Sequence, residues 1–380
     1  MKDLRVAIIT EFINSTGGSD RVIESLLDLF PSSEIFTATF TPKNYPNLKA
    51  KVHTPKFFGW VLQKGIGRRI TVFMPFLFER FDLKGFDVVV SVSAGASKGV
   101  ITYPGQPHIS IICTPPRHQW DGDINVRGSA LRFIYHLGSK IISSYIRVWD
   151  ITAVARIDRL ISISKFIQKK VFKRYKRESE VIYPGIKEFW FDKPSTSQVK
   201  SINQKYRLPS EYYIVVSRLF DYKRVDWAIK ACGIAGKHLV IVGEGPDRGY
   251  LEKVAKRFAP GLVHFLGRRE NEEILALYQH AKALLFCGIE DFGLVPVEAM
   301  ATGTPVLALK AGGLLETVEE GKSGFFFETI DELSGIIQDE RVRKINPKWC
   351  IMRARNFTQQ KFKKQIYSYI EKVYEEEKRY

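Results

Sequence analysis

Short runs rich in Val, Ile and Phe alternate with amphipathic stretches along most of the chain. That alternation constrains the fold most, because it signals βα units around parallel sheets covered by helices on both faces. In the first half, strands are expected at Val6–Thr10, Glu34–Thr39, Val88–Ser93, His108–Cys113, Leu160–Ser164 and Val181–Tyr183. The polar stretch Glu188–Leu208, with Pro194 followed by Ser195, Thr196, Ser197 and Gln198, reads as a linker. The pattern then repeats more regularly, with strands at Tyr212–Ser217, His238–Val242, Val263–Leu266, Ala283–Phe286, Pro305–Ala308 and Gly324–Phe327. Helices are expected between them at Val225–Ala235 and Asn271–Ala281.

The fold class is therefore α/β, with two doubly wound, Rossmann-like domains facing a cleft and ligands at the carboxyl ends of the strands. Domains are expected over 1–195 and 196–357. Phe362, Ile366, Tyr369, Ile370 and Val373 form one apolar stripe in the closing segment, so 358–380 reads as a helix returning to the N-terminal domain. A chain of 380 residues with 45% hydrophobic side chains has enough apolar material for two such cores.

The chain has 58 Lys and Arg against 41 Asp and Glu, a formal charge of +17, so its partner is expected to be anionic: nucleic acid, an acidic membrane or a phosphorylated ligand. Cys113, Cys232, Cys287 and Cys350 are scattered and form no CxxC pair, which excludes a disulfide framework and a zinc site and fits a reducing compartment. The first apolar run, Val6–Ile9, is too short for a signal-peptide core, and no stretch approaches the ~18 residues of a membrane span. The expected location is cytoplasmic, with any membrane contact peripheral.

Three segments carry chemistry. In the run Glu290–Glu298, Glu290 falls in a loop after a strand and Glu298 inside a helix opening near Leu294. The helix start offers backbone N–H groups around Gly293–Val295 to an anion or an electron-rich hydroxyl. Glu290 can accept from sugar hydroxyls, and Glu298 from both hydroxyls of a ribose diol. The competing reading is an ordinary turn with two surface glutamates; the Gly303-Thr304-Pro305 sequel favours function. In the second segment, Arg218 ends a strand and Lys223 lies in the loop after it, a cation pair suited to a diphosphate. The third is Gly17-Gly18 after the first strand, where Ser19 or Asp20 can cap the next helix. Its spacing is neither the dinucleotide fingerprint nor a Walker loop.

The runs EDFGLVPVEAMATGTPVLA, VVSRLFDYKRVD and ISISKFIQKKVFKRYKRESEVIYPGI resemble the retaining glycosyltransferases of family four, which have two Rossmann-like domains, the GT-B fold. FDVVVSVSAGASKGV, HISIICTPPRHQWD and YIRVWDITAVARIDRLISIS are similar to bacterial mannosyltransferases of O-antigen and exopolysaccharide assembly. The resemblance implies an acceptor-binding N-terminal domain and a donor-binding C-terminal one. Arg218 and Lys223 then hold the donor diphosphate and stabilise its departure. Glu290 and the backbone of Phe292, Gly293 and Leu294 hold the hexose, Glu298 the ribose, and Gly267 ends the strand beside the base. Gly17 and Gly18 approach the phosphates. Related sequences place a histidine where this chain has Cys113. His118, the nearest imidazole, either replaces it or is a plain loop residue.

Asp121-Gly122-Asp123 formally matches a metal-binding DxD motif, but Arg218 and Lys223 already supply the positive charge, so no metal or other cofactor is expected. Two segments carry much of the basic excess. Lys56–Phe81 mixes Lys56, Lys64, Arg68, Arg69 and Arg80 with many aromatics, which suits anionic lipid. Lys165–Arg177 is basic throughout, with Phe166, Val171, Phe172 and Tyr175 expected in the core. A solvated basic face over a packed helix competes with the membrane reading for both. The expected activity is transfer of mannose from GDP-mannose onto a lipid-linked saccharide. A UDP-sugar donor and a sugar-nucleotide 2-epimerase are the alternatives. A nucleic-acid partner lacks any supporting motif.

Overall fold

The computed structural model describes residues 4–13, 18–55, 73–120, 132–193, 201–202 and 204–378, with 118 and 132–141 by backbone alone. The chain divides into two compact units, Met1–Tyr183 with Phe362–Tyr380, and Pro184–Lys361. The first unit thus ends upstream of position 195, and most of the closing helix Gln359–Glu377 belongs to it.

Among the described residues unit 1 has seven strands: β1 (Val6–Ile13), β2 (Glu34–Phe40), β3 (Val52–His53), β4 (Val88–Ser93), β5 (His108–Ile112), β6 (Arg159–Ser162) and β7 (Glu180–Val181). Their order is β3-β2-β1-β4-β5-β6-β7, and each pairing is parallel. Every residue of β4 and β5 is buried, as strands covered on both faces require. β1 runs three residues beyond the expected Thr10, because β2 supplies Thr39 and Phe40 as partners for Phe12 and Ile13. The two-residue β3 was not expected; it is too short to leave a periodic signal. The closing helix buries Phe362, Ile366, Ile370 and Val373, and Lys363 pairs with Asp28 at 2.6 Å. Tyr369 of the expected stripe is only half-buried.

Among its described residues unit 2 has six: β8 (Tyr213–Val216), β9 (Leu239–Val242), β10 (Val263–Gly267), β11 (Leu284–Phe286), β12 (Val306–Leu309) and β13 (Gly324–Phe327). The order is β10-β9-β8-β11-β12-β13, again all parallel. Each unit is thus doubly wound. Strand order reverses between β1 and β4 in the first and between β8 and β11 in the second, the places where such sheets bind ligands.

The stretch expected as a linker is partly packed. Glu188–Phe191 forms a helical turn whose Trp190 is buried against Tyr278, with ring centroids 5.9 Å apart. The polar composition hid one anchoring aromatic. The helix Lys165–Tyr175 buries Ile167, Val171 and Tyr175 as an amphipathic stripe, whereas Phe172, expected in the core, is 49% exposed. Arg177 donates to the carbonyls of Val154 and Ile157, closing the end of the helix Arg132–Ala155.

Candidate active site

In unit 2 the cationic loop after β8 and the acidic loop after β11 lie on the two strands that flank the reversal. Lys223 and Glu290 form an ion pair there, with side chains 13% and 21% exposed. Partial withdrawal from water strengthens the pairing. The Lys223 ammonium also lies 5.2 Å from the Tyr222 ring and 5.6 Å from the Phe286 ring. Gly288 makes the approach possible, since a Cβ there would meet Lys223 Cα and the Tyr222 carbonyl at 3.1 Å. Val215, Ser217, Lys223, Phe286 and Cys287 line a shallow cavity at these strand ends. Arg218 is exposed, donates to the Tyr222 hydroxyl at 3.4 Å and packs 5.7 Å from the Phe220 ring.

The helix Leu294–Ala301 follows directly, capped by Gly293 with φ of 97°, a conformation open to glycine. Leu294 and Val295 have amides with no acceptor inside the helix, and Pro296 has none to offer. Glu298, one turn on, is buried to 3%, so the carboxylate read as a surface alternative is an interior group. Phe292 is buried against Phe357, with centroids 5.4 Å apart. Gly267 closes β10 at the edge of the sheet with φ of 72°, beside the Arg248–Glu244 ion pair. It stands two strands away from the reversal.

Sequence reasoning missed the support beneath Glu290. Gly313 donates its N–H to the Glu290 carbonyl at 2.8 Å, and a Cβ on Gly313 would lie 2.5 Å from the Asp291 carbonyl oxygen. The loop after β12 therefore packs backbone on backbone against the loop that carries Glu290. The Gly312-Gly313 pair, separated from the end of β12 by Lys310 and Ala311, was the available signal.

Gly17 and the pair Asp121 and Asp123 lie outside the described residues, as does 56–72 of the aromatic-basic segment. Gly18 opens the helix Gly18–Leu29; Asp20 sits in its first turn, buried, and accepts from Tyr45 at 3.0 Å. His118 lies on the short helix Arg117–Trp120. Cys113 is partly exposed, while Cys232, Cys287 and Cys350 are buried and burial raises their thiol pKa values. Among the described residues no cluster of three metal-ligating side chains occurs, and no helix is long and apolar enough to cross a membrane.

Unit 1 contains a second carboxylate that the sequence did not single out. Glu11, buried at the end of β1, accepts from the amides of Ala94, Gly95 and Ser97 at 2.8–3.2 Å and from the hydroxyls of Ser93 and Ser97 at 3.1 and 2.7 Å. It ties down the loop after β4.

Two Rossmann-like units of this topology define the GT-B fold class. Residues 198–339 match the family model described as "Glycosyl transferases group 1". The chain is 28% identical over 161 residues to the D-rhamnosyltransferase WbpZ of Pseudomonas aeruginosa, covering 41% of this chain and 42% of that protein. It is 26% identical over 185 residues to the alpha-monoglucosyldiacylglycerol synthase of Acholeplasma laidlawii, covering 46% of each. The matches thus span less than half the length of these relatives. Anabaena Alr3699/HepE, solved in complex with UDP-glucose, superposes with a TM-score of 0.70 at 16% identity, covering 97% of this chain and all of that one. That likeness establishes the shared fold.

Proposed function

We propose that the protein is a retaining glycosyltransferase that moves a hexose from a nucleoside diphosphate sugar, GDP-mannose by our reading, to a lipid-linked saccharide. The observation that carries this reading is the pairing of Lys223 with Glu290, beside Arg218, at the reversal of the unit 2 sheet. A diphosphate there draws the Lys223 ammonium and the Arg218 guanidinium onto its oxygens and releases the Glu290 carboxylate for the hexose hydroxyls. The amides of Leu294 and Val295 add a fixed positive end. Buried Glu298 takes the ribose diol.

The anomeric C–O bond to the diphosphate breaks while a bond from the acceptor oxygen forms on the same face. The acceptor's proton passes to the departing phosphate, so no side chain has to serve as base. Charge develops on the leaving group, and cations already in place stabilise it without reorganisation. That charge also makes a metal unnecessary. Gly18, Gly267 and His118 stay in the proposal as lesser contacts to donor and acceptor.

The relative named for a diacylglycerol product favours a lipid-linked acceptor. Exposed Phe73 and Phe76, with Arg80 over the Phe76 ring, and Phe172 on the same helix as Lys169 and Lys173, favour peripheral contact with anionic lipid at the cytoplasmic face. A UDP-sugar is the second reading, favoured by the ligand of the HepE structure. Thermal shifts against a panel of sugar nucleotides separate the two, and GDP-mannose is expected to stabilise the protein most. Products formed from donor alone would point to a 2-epimerase. Transfer lost on adding EDTA at saturating donor would refute metal independence, and failure to float with anionic vesicles at low salt would remove the membrane contact.

A further inference from the structure

We infer that His238 and His264 form a structural site for one divalent metal ion of the zinc and nickel kind, which ties the edge strand of the unit 2 sheet to its neighbour. The site is independent of the proposed function. It lies at the amino ends of β9 and β10, whereas the Lys223–Glu290 pair lies past the carboxyl ends of β8 and β11.

The sheet itself brings the two histidines together. His264 stands beside Val240 in the parallel ladder, and His238 precedes Val240 by two residues, so alternation turns both side chains to one face. Their ring centroids are 5.7 Å apart, with the planes inclined at 47°. Two imidazoles that each hold one ion at about 2.0–2.1 Å place their ring centres about 5–6 Å apart. The backbone therefore supplies the spacing of a shared ion.

The nitrogens are uncommitted. Nδ1 of His238 and Nε2 of His264 are both buried, and among the described residues neither has a hydrogen-bond partner. Buried polar atoms of this kind are costly unless something meets them. Tyr212, beside His238 in the ladder, is already engaged, because its hydroxyl donates to the Leu277 carbonyl at 3.0 Å. Burial and the neighbouring His238 lower the pKa of His264, which keeps that imidazole neutral, as a ligand must be. Neutral imidazole suits zinc, nickel and copper, whereas magnesium and calcium prefer oxygen. Both side chains are half-buried, so water can complete the coordination shell. No cysteine takes part, and cysteine spacing therefore gives no hint of this site. β10 pairs on one side only, and its register with β9 shifts between Phe265 and Gly267. An ion on the two histidines fixes the opposite end of that pair.

Calorimetry on the full chain, stripped with EDTA and desalted, tests this with zinc as the probe. The wild-type chain is expected to bind zinc and to unfold at a higher temperature in its presence. His238→Gln and His264→Gln keep a polar side chain. Each should weaken binding at least about tenfold, the loss that even an altered outer partner causes, and remove most of the thermal shift. His280→Gln is the control and should bind as wild type does, and magnesium should not compete. Absence of zinc binding in the wild-type chain, unchanged affinity in either folded variant, or an equal loss in His280→Gln would each overturn the inference.

Discussion

Lys223 and Glu290, 67 positions apart in sequence, close on each other across the reversal of the unit 2 sheet as a half-buried ion pair. Each neutralises the other, and in the proposed reaction a diphosphate would separate them. Removing either partner should therefore disturb the site in a distinguishable way.

Lys223→Ala, Arg218→Ala and Glu290→Ala are each expected to lower kcat by roughly two to three orders of magnitude with unfolding midpoints near wild type. Glu290→Gln should keep or tighten binding of free nucleoside diphosphate, because its amide no longer competes for the ammonium, while Lys223→Ala weakens it. Calorimetry with GDP and UDP reads both effects. Near-normal turnover in all three alanine variants would refute the site.

Gly313→Ala is expected to destabilise unit 2 by about 2 kcal/mol or more, since its Cβ would press on the Asp291 carbonyl and push the loop carrying Glu290. Gly249→Ala is the control. It lies in the helix Arg248–Phe258 with open space around it, and should be neutral or stabilising by up to about 1 kcal/mol. Urea midpoints of the two variants moving together would contradict the packing argument.

In unit 1, Lys98 and Asp150 pair at 2.6 Å with side chains 1% and 0% exposed, and Asp150 also accepts from Trp120 and Tyr175 at 2.8 and 2.7 Å. Asp150→Ala leaves a buried ammonium, the buried Tyr175 hydroxyl and the half-buried Trp120 N–H without their acceptor, and should destabilise by about 3–5 kcal/mol. The double variant Lys98→Met/Asp150→Leu should be milder. A double variant less stable than Asp150→Ala would show that the pair itself, rather than the orphaned charge, dominates.

His108 is buried, with its ring 2.9 Å from the Ser91 hydroxyl. Burial, aided by the charge of Arg156, pushes its pKa down to about 3. The unfolded chain takes up a proton near pH 6.5 that the folded chain refuses. Stability from this residue is thus complete above about pH 6.5 and falls by about 1.4 kcal/mol per unit as pH drops toward 3. A urea-unfolding series in that range should show a shallower slope for His108→Gln than for wild type; parallel slopes would exclude His108 as the source.

The α/β class and nearly every strand could be read from the sequence because they rest on local periodicity. Val88–Ser93 and Gly324–Phe327 match their runs at both ends. The places of Arg218 and Lys223 after one strand, of Glu290 after another and of Glu298 in the helix that follows it were legible, because charged residues just after apolar runs fall in the loops at strand ends. Composition misled at two places. Trp190 packs inside a stretch that reads as linker, and Phe172 stands exposed where hydrophobicity suggested core.

What only the tertiary structure decided is which strand ends become neighbours. Strand order brings the loop after β8 to the loop after β11, and sets Glu11 under amides up to 86 positions away. Hydrophobic periodicity says that a strand exists but carries no term for its partner, which side-chain packing between distant segments selects. The sequence by itself therefore determined two parallel sheets with charged loops at their carboxyl ends. The fold decided that Lys223 meets Glu290 at one reversal, and that the Glu11 carboxylate takes the loop amides of Ala94, Gly95 and Ser97 at the other.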